Sequence, residues 1–470
     1  MIGDLKPYAD YKDSGLPWLG QVPAHWQIVR SKRLFSARKD LAKPDDPQLS
    51  ATQAYGVIEQ AEFERRSGHR VVKISMHLDK RKHVEKDDFV ISMRSFQGGI
   101  ERAWSSGAIR SSYVVLKPGP EVNASYFQYA LKSAGYIRAL QATGDFIRDG
   151  QDLSFANFVR VDLPSIPTAE QAAIGRFLNW ACDRLESTIR AKRRVISLLA
   201  EQKRAVIRSA VTRGLDDSVP LKHSGVDWLG NFPAHWEVLS LKRVLRRLID
   251  CEHKTAPKVD ESAFRVVRTT AVRNGELRIS GTYCTTPTAY RSWTRRGVPE
   301  VGDVIFTREA PAGEACLVPE AMRICLGQRT VLMKPNRQRL DAQYLVHTIY
   351  AGPPRVAITL ASQGSTVSHF NMSDIGLLPL LLPPIEEQRE IVKSIVEQTA
   401  GLTTTITRLE REIDLLREYR TRLISDIVTG KFDVRDAAAR LPAEVPVETV
   451  VDLDNESYEV EPFNEEAAEA

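Results

Sequence analysis

Apolar side chains recur at alternating spacings of four and three residues in two long stretches of the chain. The first stretch runs from Thr168 to Arg213 without a proline, and Gly175 is its one glycine. Such spacing is typical of the a and d positions of a coiled coil. The two rows are Ile174, Leu178, Ala181, Leu185, Thr188, Lys192, Val195, Leu199, Gln202 and Val206, and Ile391, Ile395, Gln398, Leu402, Thr405, Leu409, Glu412, Leu416, Tyr419 and Leu423. The pattern predicts two helices of about 40 residues, each roughly 60 Å long.

Polar residues interrupt both rows, so neither row predicts a coiled coil that is stable alone. If the two helices pack on each other within the chain, the apolar side chains of both rows become buried. Two ordinary long bundle helices are the alternative.

The segments before these helices change to short β-like runs separated by turn signals. Two pairs of runs look equivalent, 88–92 with 303–307 and 114–118 with 331–335. A predicted helix follows in each case, Ala124 to Ala134 and Asp341 to Tyr350, and then a polar turn, Ala142 to Gly144 and Ser362 to Ser365. The two segments thus share an α+β scaffold but differ in most of their side chains.

The chain also repeats itself in its motifs. The segment Ser14–Arg33 recurs as Ser224–Arg243 at a constant offset of 210, and eleven of its twenty positions are identical. A Pro-x-x-Glu-Gln motif at Pro167–Gln171 recurs at Pro384–Gln388, at an offset of 217. Each half therefore consists of a tryptophan-rich arm, a variable segment and a long charged helix.

Composition is that of a globular protein with an uneven charge distribution. The net charge of +5 includes ten acidic and no basic residues from Leu441 to Ala470, so the remaining chain carries +15. A basic body makes a polyanionic partner plausible. The acidic end predicts a disordered tail that either aids solubility or shields the basic surface. Five scattered cysteines, no signal peptide and no membrane span predict a cytoplasmic protein.

No catalytic constellation emerges from the motifs. The phosphate-binding loop of ATPases is absent, as are the dinucleotide fingerprint and the Asn/Asp-Pro-Pro-Tyr/Phe tetrapeptide of amino-methyltransferases. The run Glu201–Lys203 fits a solvated helix face better than a nuclease motif, and Cys251–His253 lacks the second ligand pair of a zinc site. His25 and His235 occupy equivalent positions beside tryptophans, which favours a packing or hydrogen-bonding role over that of a general base.

The variable segments do offer the side chains that contact DNA. Arginine can bind guanine and glutamine can bind adenine in the major groove, while serine, threonine and lysine bind phosphates. A single cluster of this kind is more often a solvated loop, but several clusters in both halves favour nucleic acid. The candidates are Arg65, Arg66, Arg70, Lys80, Arg81, Lys82, Arg94, Gln97, Arg110, Ser112 and Tyr113 in the first half, and Arg268, Thr269, Arg291, Arg295, Arg296, Thr307, Arg308, Gln328, Arg329 and Thr330 in the second.

These motifs resemble those of the specificity subunits of type I restriction–modification systems, from about Tyr8 to about Asp436. The resemblance rests on the Trp-Leu-Gly-x-x-Pro-x-His-Trp arm (Trp18–Trp26 and Trp228–Trp236), the two Pro-x-x-Glu-Gln motifs and the ending Ile427–Lys431. It implies a non-catalytic subunit that reads the two halves of a bipartite DNA site. It also implies two methyltransferase subunits and restriction subunits as partners, to which S-adenosylmethionine, ATP and Mg belong.

The resemblance also fixes the expected fold class, α+β with an internal pseudo-twofold repeat. Two α/β target recognition domains are expected to be joined by two long antiparallel coiled-coil spacer helices. The expected segments are 1–166 for the first arm and recognition domain, 167–214 for the central helix, 215–383 for the second arm and recognition domain, 384–432 for the C-terminal helix, and 433–470 for the tail.

Three other readings remain open at the level of sequence. The chain could be an enzyme with an unrecognised site, which activity without a partner would reveal. It could be a scaffold that binds only proteins, which would lack the strong salt dependence of DNA binding. Finally, a subunit of this family could serve a complex that methylates without restricting.

Overall fold

The computed structural model describes residues 5–71, 80–92, 95–144, 153–226, 228–320, 322–362 and 370–442. Three sequence predictions fall outside these ranges, namely the DNA contact of Arg94, most of the turn at Ser362–Ser365 and the disorder of the acidic tail after Pro442. The predicted start of the disordered tail at 433 is wrong, because a short helix forms over Arg435–Ala439 and Val434, Ala438 and Leu441 are buried. Within the described residues, no helix combines the length and the apolarity that a membrane crossing requires.

The first half of the chain contains twelve strands and seven helices among its described residues. The strands are β1 (Tyr11–Asp13), β2 (Gln21–Pro23), β3 (Gln27–Val29), β4 (Phe35–Arg38), β5 (Leu49–Thr52), β6 (Gly56–Glu59), β7 (Lys82–Val84), β8 (Phe89–Ile91), β9 (Glu101–Arg102), β10 (Gly107–Ile109), β11 (Val114–Pro118) and β12 (Leu163–Ser165). The helices are α1 (Ser31–Leu34), α2 (Gln60–Ser67), α3 (Ser95–Gly98), α4 (Ala124–Ala130), α5 (Ala134–Gln141), α6 (Phe155–Phe158) and α7 (Thr168–Arg213).

The second half continues with thirteen strands and six helices among its described residues. The strands are β13 (Leu221–His223), β14 (Asn231–Pro233), β15 (Glu237–Ser240), β16 (Leu245–Asp250), β17 (Phe264–Val267), β18 (Val272–Arg273), β19 (Glu276–Leu277), β20 (Thr282–Cys284), β21 (Val304–Thr307), β22 (Ala315–Leu317), β23 (Arg323–Leu326), β24 (Thr330–Pro335) and β25 (Pro379–Leu382). The helices are α8 (Pro287–Trp293), α9 (Ala342–Ala351), α10 (Pro353–Ser362), α11 (Met372–Leu377), α12 (Ile385–Val428) and α13 (Arg435–Ala439).

The chain divides into two compact units. The first unit comprises Met1–Arg190 and Ile413–Ala470, and the second comprises Ala191–Glu412. Both divisions fall inside a long helix, α7 or α12. The first unit therefore contains the start of α7 and the end of α12, whereas the second contains the end of α7 and the start of α12.

Each unit is built on an antiparallel sheet of four strands. The order is β4-β11-β8-β9 in the first unit and β16-β24-β21-β22 in the second. The strands β8 and β21 are fully buried, in keeping with the apolar runs Phe89–Ile91 and Val304–Phe306. The strands that the sequence marks as equivalent, β8 with β21 and β11 with β24, occupy equivalent places in the two sheets.

The repeated arm and the Pro-x-x-Glu-Gln motif meet in space. In the first unit, the Glu170 carboxylate accepts hydrogen bonds from Trp26 Nε1 at 2.9 Å and from Tyr8 Oη at 2.7 Å, and it lies 2.8 Å from His25 Nε2. Glu170 stands in the first turn of α7, where the helix dipole favours a negative charge. The expected hydrogen-bonding role of His25 is thus confirmed.

The second unit repeats this contact with different burial. Glu387 accepts from Trp236 Nε1 at 3.0 Å and lies 2.8 Å from His235 Nε2. The Glu387 side chain is 26% exposed, whereas that of Glu170 is 4% exposed. The hydrogen-bonding role predicted for His235 is confirmed as well, at a site that is more exposed to solvent.

The glutamine of each motif joins the helix start to the neighbouring backbone. Gln171 accepts from the amide of Asn123 at 2.8 Å and donates to the carbonyls of Glu121 and Ile166. Gln388 likewise accepts from the amide of Asp341 at 2.8 Å and donates to the carbonyls of Arg339 and Pro383. Since buried backbone groups must be paired, both glutamines hold a loop and a helix in one arrangement.

The long helices that the heptad spacing predicts are present, and they contact each other within the units. In the second unit, Lys192 Nζ lies 2.6 Å from Glu412 Oε2, and Lys203 Nζ donates to Thr403 Oγ1 at 2.9 Å. The residue number rises along one helix as it falls along the other, so the helices run antiparallel there. In the first unit, Arg420 forms an ion pair with Glu186.

Two expectations about the helices need correction. The helix expected over Ala124–Ala134 is two helices, α4 and α5, because Ser133 caps a new helix start. The heptad rows are wrong at Val195 and Tyr419, which are 45% and 41% exposed, and at four polar positions that are also exposed, Thr188, Gln202, Gln398 and Thr405. A straight α-helix has 3.6 residues per turn, so a row spaced at 3.5 drifts away from the buried face.

Candidate nucleic-acid interface

In the first unit, two of the candidate segments lie side by side. Strands β7 and β10 pair antiparallel, with Ile109 opposite Lys82. The segment 80–83 therefore runs beside Arg110, and Lys82 Nζ donates to the carbonyl of Tyr113 at 2.6 Å. The loop that follows β4 packs beside the segment 80–83, because the amide of Ala42 donates to the carbonyl of Arg81 at 2.9 Å. Candidates from distant parts of the sequence thus lie next to one another.

Two further candidates of the first unit lie on the short helix α2. Arg65 and Arg66 both pair with Glu62 on α2, and Arg66 also lies over the ring of Tyr55. The side chain of Arg65 remains 70% exposed. Other exposed candidates of this unit are Arg70, Lys80, Gln97 and Ser112.

In the second unit, three candidate segments surround the loop that follows β16. Arg308 Nη1 lies 3.0 Å from both carboxylate oxygens of Asp250. Arg296 Nη1 donates to the carbonyl of Cys251 at 3.2 Å. Gln328 Nε2 donates to the carbonyl of His253 at 3.3 Å. We call Asp250–His253 the clasped loop, because side chains from three segments hold it.

The clasped loop carries chemistry that sequence analysis considered only as a metal site. His253 Nε2 lies 3.1 Å from Asp250 Oδ2, and the His253 side chain is 66% exposed. Burial and the neighbouring Asp250 raise the pKa of the Cys251 thiol, so the thiol stays protonated. Within the described ranges, no group of three His, Cys, Asp or Glu side chains could hold a metal ion. The loop presents hydrogen-bonding groups to solvent instead.

Other candidates of the second unit flank this loop. Arg268 lies over the ring of Tyr283, with 5.8 Å from Cζ to the ring centroid. Arg329 pairs with Glu309 at 3.2 Å and is 55% exposed. Arg291 and Arg295 are exposed near the end of α8. This unit thus exposes arginines on several neighbouring segments.

Six candidates are buried and are therefore not exposed to a ligand in this structure, namely Arg81, Tyr113, Thr269, Thr307, Arg308 and Thr330. Thr307 and Thr330 face each other across β21 and β24. Their hydroxyls donate to the carbonyls of Pro311 and Gly327, at 2.7 and 2.8 Å. These two threonines shape the turns beside the surface, and their side chains are not exposed on it.

Asp46, Asp250 and Glu85 fix the candidate loops, but they are not among the residues that the sequence marks as candidates. His83 is almost fully buried, with Nδ1 2.6 Å from Asp46 Oδ2 and Nε2 2.9 Å from Glu85 Oε1. Burial alone would lower the pKa of His83, but the hydrogen bonds to Asp46 and Glu85 outweigh it and raise that pKa. A histidine followed by acidic residues was the only signal in the sequence.

We expect this arrangement to make the stability of the first unit depend on pH. A histidine whose pKa is raised in the folded state stabilises the fold below its ordinary pKa of 6.5, and this contribution disappears as pH rises through the folded value. The unfolding free energy should therefore fall between pH 6 and pH 8, and His83→Gln should flatten that dependence. Urea denaturation at both pH values measures it, and equal slopes for the two proteins would contradict the assignment.

Comparison with known proteins adds sequence and fold relatives. The chain matches no family model. It is 21% identical over 426 residues to the type I restriction enzyme MjaVIII specificity subunit of Methanocaldococcus jannaschii, covering 88% of this chain and 95% of that protein. It is also 21% identical over 347 residues to the EcoBI specificity subunit of Escherichia coli, covering 68% of this chain and 72% of that protein.

A solved structure shares the fold. Its subject is the complex assembly and conformational transition of the type I R-M system. The TM-score is 0.52 at 16% sequence identity, and the match covers 87% of this chain and 98% of that one. In sequence the chain resembles the specificity subunits of type I restriction enzymes along most of its length. Its mixed α/β fold with long helices resembles that of a chain in the solved type I R-M system.

Proposed function

We propose that this chain is the DNA-binding specificity subunit of a type I restriction–modification complex. In this proposal each unit carries one target recognition domain, and the two domains read the two halves of a bipartite site. The chain itself is non-catalytic, and the partner subunits supply S-adenosylmethionine, ATP and Mg. The antiparallel segments of α7 and α12 serve as the coiled-coil spacer and dock two methyltransferase subunits and the restriction subunits.

One observation carries the proposal. The two units share the same sheet order and the same contact between arm and helix, yet they present different arginine, lysine and glutamine loops beside equivalent strands. In the first unit the loops meet around β7 and β10, and in the second they meet around the clasped loop. A constant scaffold with two different polar surfaces suits a protein that reads two different short sequences, because base edges are recognised by side-chain donors and acceptors.

Charge supports nucleic acid over protein as the partner of these surfaces. The exposed candidates are mostly arginines, and the chain outside the acidic tail carries a net +15. Arginine and lysine that neutralise phosphates release counterions, so DNA affinity should fall steeply with salt. A scaffold that binds only proteins would show no comparable dependence.

The test is co-expression with a modification subunit of a type I restriction–modification system from the same genome, followed by mapping of methylated adenines in the expression host. We expect one split motif, with two specific parts around a non-specific gap, that disappears when this chain is omitted. Methylation that is unchanged by omission of the chain, together with salt-independent DNA binding, would contradict the proposal. Methylation by the purified chain alone would favour an enzyme.

A further inference from the structure

An exposed arginine of the second unit has a backbone conformation that its side chain disfavours. Arg329 lies in the turn between β23 and β24 and has a φ of 68°. Glycine adopts this left-handed region freely, whereas a Cβ in it lies too close to a carbonyl oxygen. Asp87 and Asn274 also have positive φ, but their short side chains can form local hydrogen bonds that favour it. Arginine has no such compensation, so the turn would form more readily with glycine at position 329.

Backbone contacts hold this turn in place. The carbonyl of Arg329 accepts from the amide of Arg308 at 3.0 Å. Thr330 Oγ1 donates to the carbonyl of Gly327 at 2.8 Å, and Gln328 Nε2 donates to a carbonyl of the clasped loop at 3.3 Å. These contacts do not use the side chain of Arg329. The fold therefore sets the backbone conformation of residue 329 by means that do not depend on a guanidinium group.

The side chain of Arg329 forms an ion pair that contributes little to stability. Its Nε lies 3.2 Å from Glu309 Oε2, and the Arg329 side chain is 55% exposed, whereas that of Glu309 is 17% exposed. Water and salt screen a pair with an exposed partner, and both side chains lose freedom in forming it. Arg329 therefore strains its backbone without an equal gain inside the chain. Backbone strain of this kind is concentrated at functional sites.

Glu309 also restricts the kind of ligand that this guanidinium group can bind. Its carboxylate neutralises the charge of Arg329 and would repel a phosphate group at the same place. The edge of a base is uncharged and is not repelled in this way. Guanine presents O6 and N7 in the major groove, and one guanidinium group can donate to both. An arginine that is neutralised and oriented by a carboxylate therefore suits a base better than the DNA backbone.

We propose that Arg329 is a specificity-determining residue that binds the major-groove edge of one guanine in the half-site read by the second unit. This inference rests on the proposed function, and it adds the base and the residue that recognises it. The backbone of the turn and the pair with Glu309 orient the guanidinium group before DNA binds, so less side-chain freedom is lost on binding. Gln328 attaches the same turn to the clasped loop, so Arg329 lies next to that loop.

The test maps methylated adenines for variants of the chain that are co-expressed with a modification subunit. Arg329→Gly removes the side chain and retains the backbone conformation. We expect the preference for guanine at one position of one half-site to fall about 10- to 100-fold. The melting temperature of the variant should equal or exceed that of the parent, because glycine adopts positive φ without strain. Arg329→Lys keeps the charge but not the planar fork of donors, so it should lose the same preference.

A control variant and a salt titration separate this role from others. Asn274→Gly places glycine at another position of positive φ in the second unit, and it should leave the methylated motif unchanged. Binding of the purified complexes to the cognate duplex is then measured over a range of salt concentrations. The slope of log affinity against log salt should be equal for the parent and Arg329→Gly, whereas loss of a phosphate contact would reduce it by about 0.9.

The outcomes distinguish failure of this inference from failure of the proposed function. If the parent methylates a split motif and both Arg329 variants methylate the same motif to the same extent, Arg329 does not read a base. A uniform loss of affinity over all sequences, with the slope reduced by about 0.9, assigns Arg329 to a phosphate and overturns the inference. A lower melting temperature for Arg329→Gly would assign the arginine to the fold instead. If the parent methylates no split motif and binds no DNA, the proposed function fails, and the inference fails with it.

Discussion

Replacement of Glu170 by alanine is expected to lower the unfolding free energy of the first unit by about 3 to 5 kcal/mol, since buried donors left without an acceptor cost about 1 to 3 kcal/mol each. Trp26 and Tyr8 are both buried and both donate to this carboxylate. Burial and Glu170 itself raise the pKa of Tyr8, so the phenol keeps its proton and needs the acceptor. Urea denaturation of the full chain, with limited proteolysis to identify the unit that opens, measures the loss.

The repeat supplies a matched control for this prediction. Glu387→Ala removes the same carboxylate from the second unit, but there the side chain is 26% exposed and contacts Trp236 Nε1 and His235 Nε2. Water can reach that site, so the loss should be about half as large or smaller. Glu170→Gln retains one acceptor oxygen and should give an intermediate value. An equal loss for the two alanine variants would mean that burial does not govern the strength of this contact.

This contact also shows where sequence analysis reaches its limit. The duplicated arm and the Pro-x-x-Glu-Gln motif are visible as repeats, and the helix start at Thr168 follows from local propensity. That Glu170 accepts from Trp26, 144 residues earlier, is a property of the folded chain that neither motif encodes alone. A motif predicts its own local structure, whereas the partner that satisfies a buried carboxylate is fixed by the tertiary arrangement.

The candidate DNA-binding residues show the same contrast between local structure, which the sequence predicts, and tertiary contacts, which it does not. Residue type correctly marks strands such as β8 and β21, because an unbroken apolar run fits a buried strand. Residue type does not separate Arg308, which is buried against Asp250, from Arg329, which is 55% exposed. Arg308 directly follows strand β21 and Arg329 directly precedes β24, so exposure depends on how each turn leaves the sheet. The carboxylates that fix the loops were missed because acidic residues do not suggest DNA contact.

Replacement of Arg308 by methionine is expected to relax recognition of one half of the DNA site and to leave the other half intact. Arg308 is a positioning residue here, because its guanidinium holds both oxygens of Asp250 and Asp250 in turn lies 3.1 Å from His253. Without Arg308, the partly buried Asp250 carboxylate loses its ion pair, and the clasped loop loses one of the three side-chain contacts that hold it. Each good base contact contributes about 1 to 3 kcal/mol of discrimination against the wrong base. The preference for methylation of the cognate site over sites altered in that half should therefore fall about 10- to 100-fold.

Methylation mapping with the co-expressed complex measures this effect for each half separately. Asp250→Ala should relax the same half-site, and Arg308→Lys should restore part of its specificity, since a lysine can still pair with Asp250. Arg339→Met is the matched control, because Arg339 pairs with Glu237 at 3.0 Å on the surface of the same unit and such exposed pairs contribute little. A uniform loss at both half-sites would indicate general destabilisation. If the Arg308→Met complex methylates the same motif to the same extent, the clasped loop does not take part in DNA recognition. Recognition in this unit would then depend on Arg268, Arg291 and Arg295.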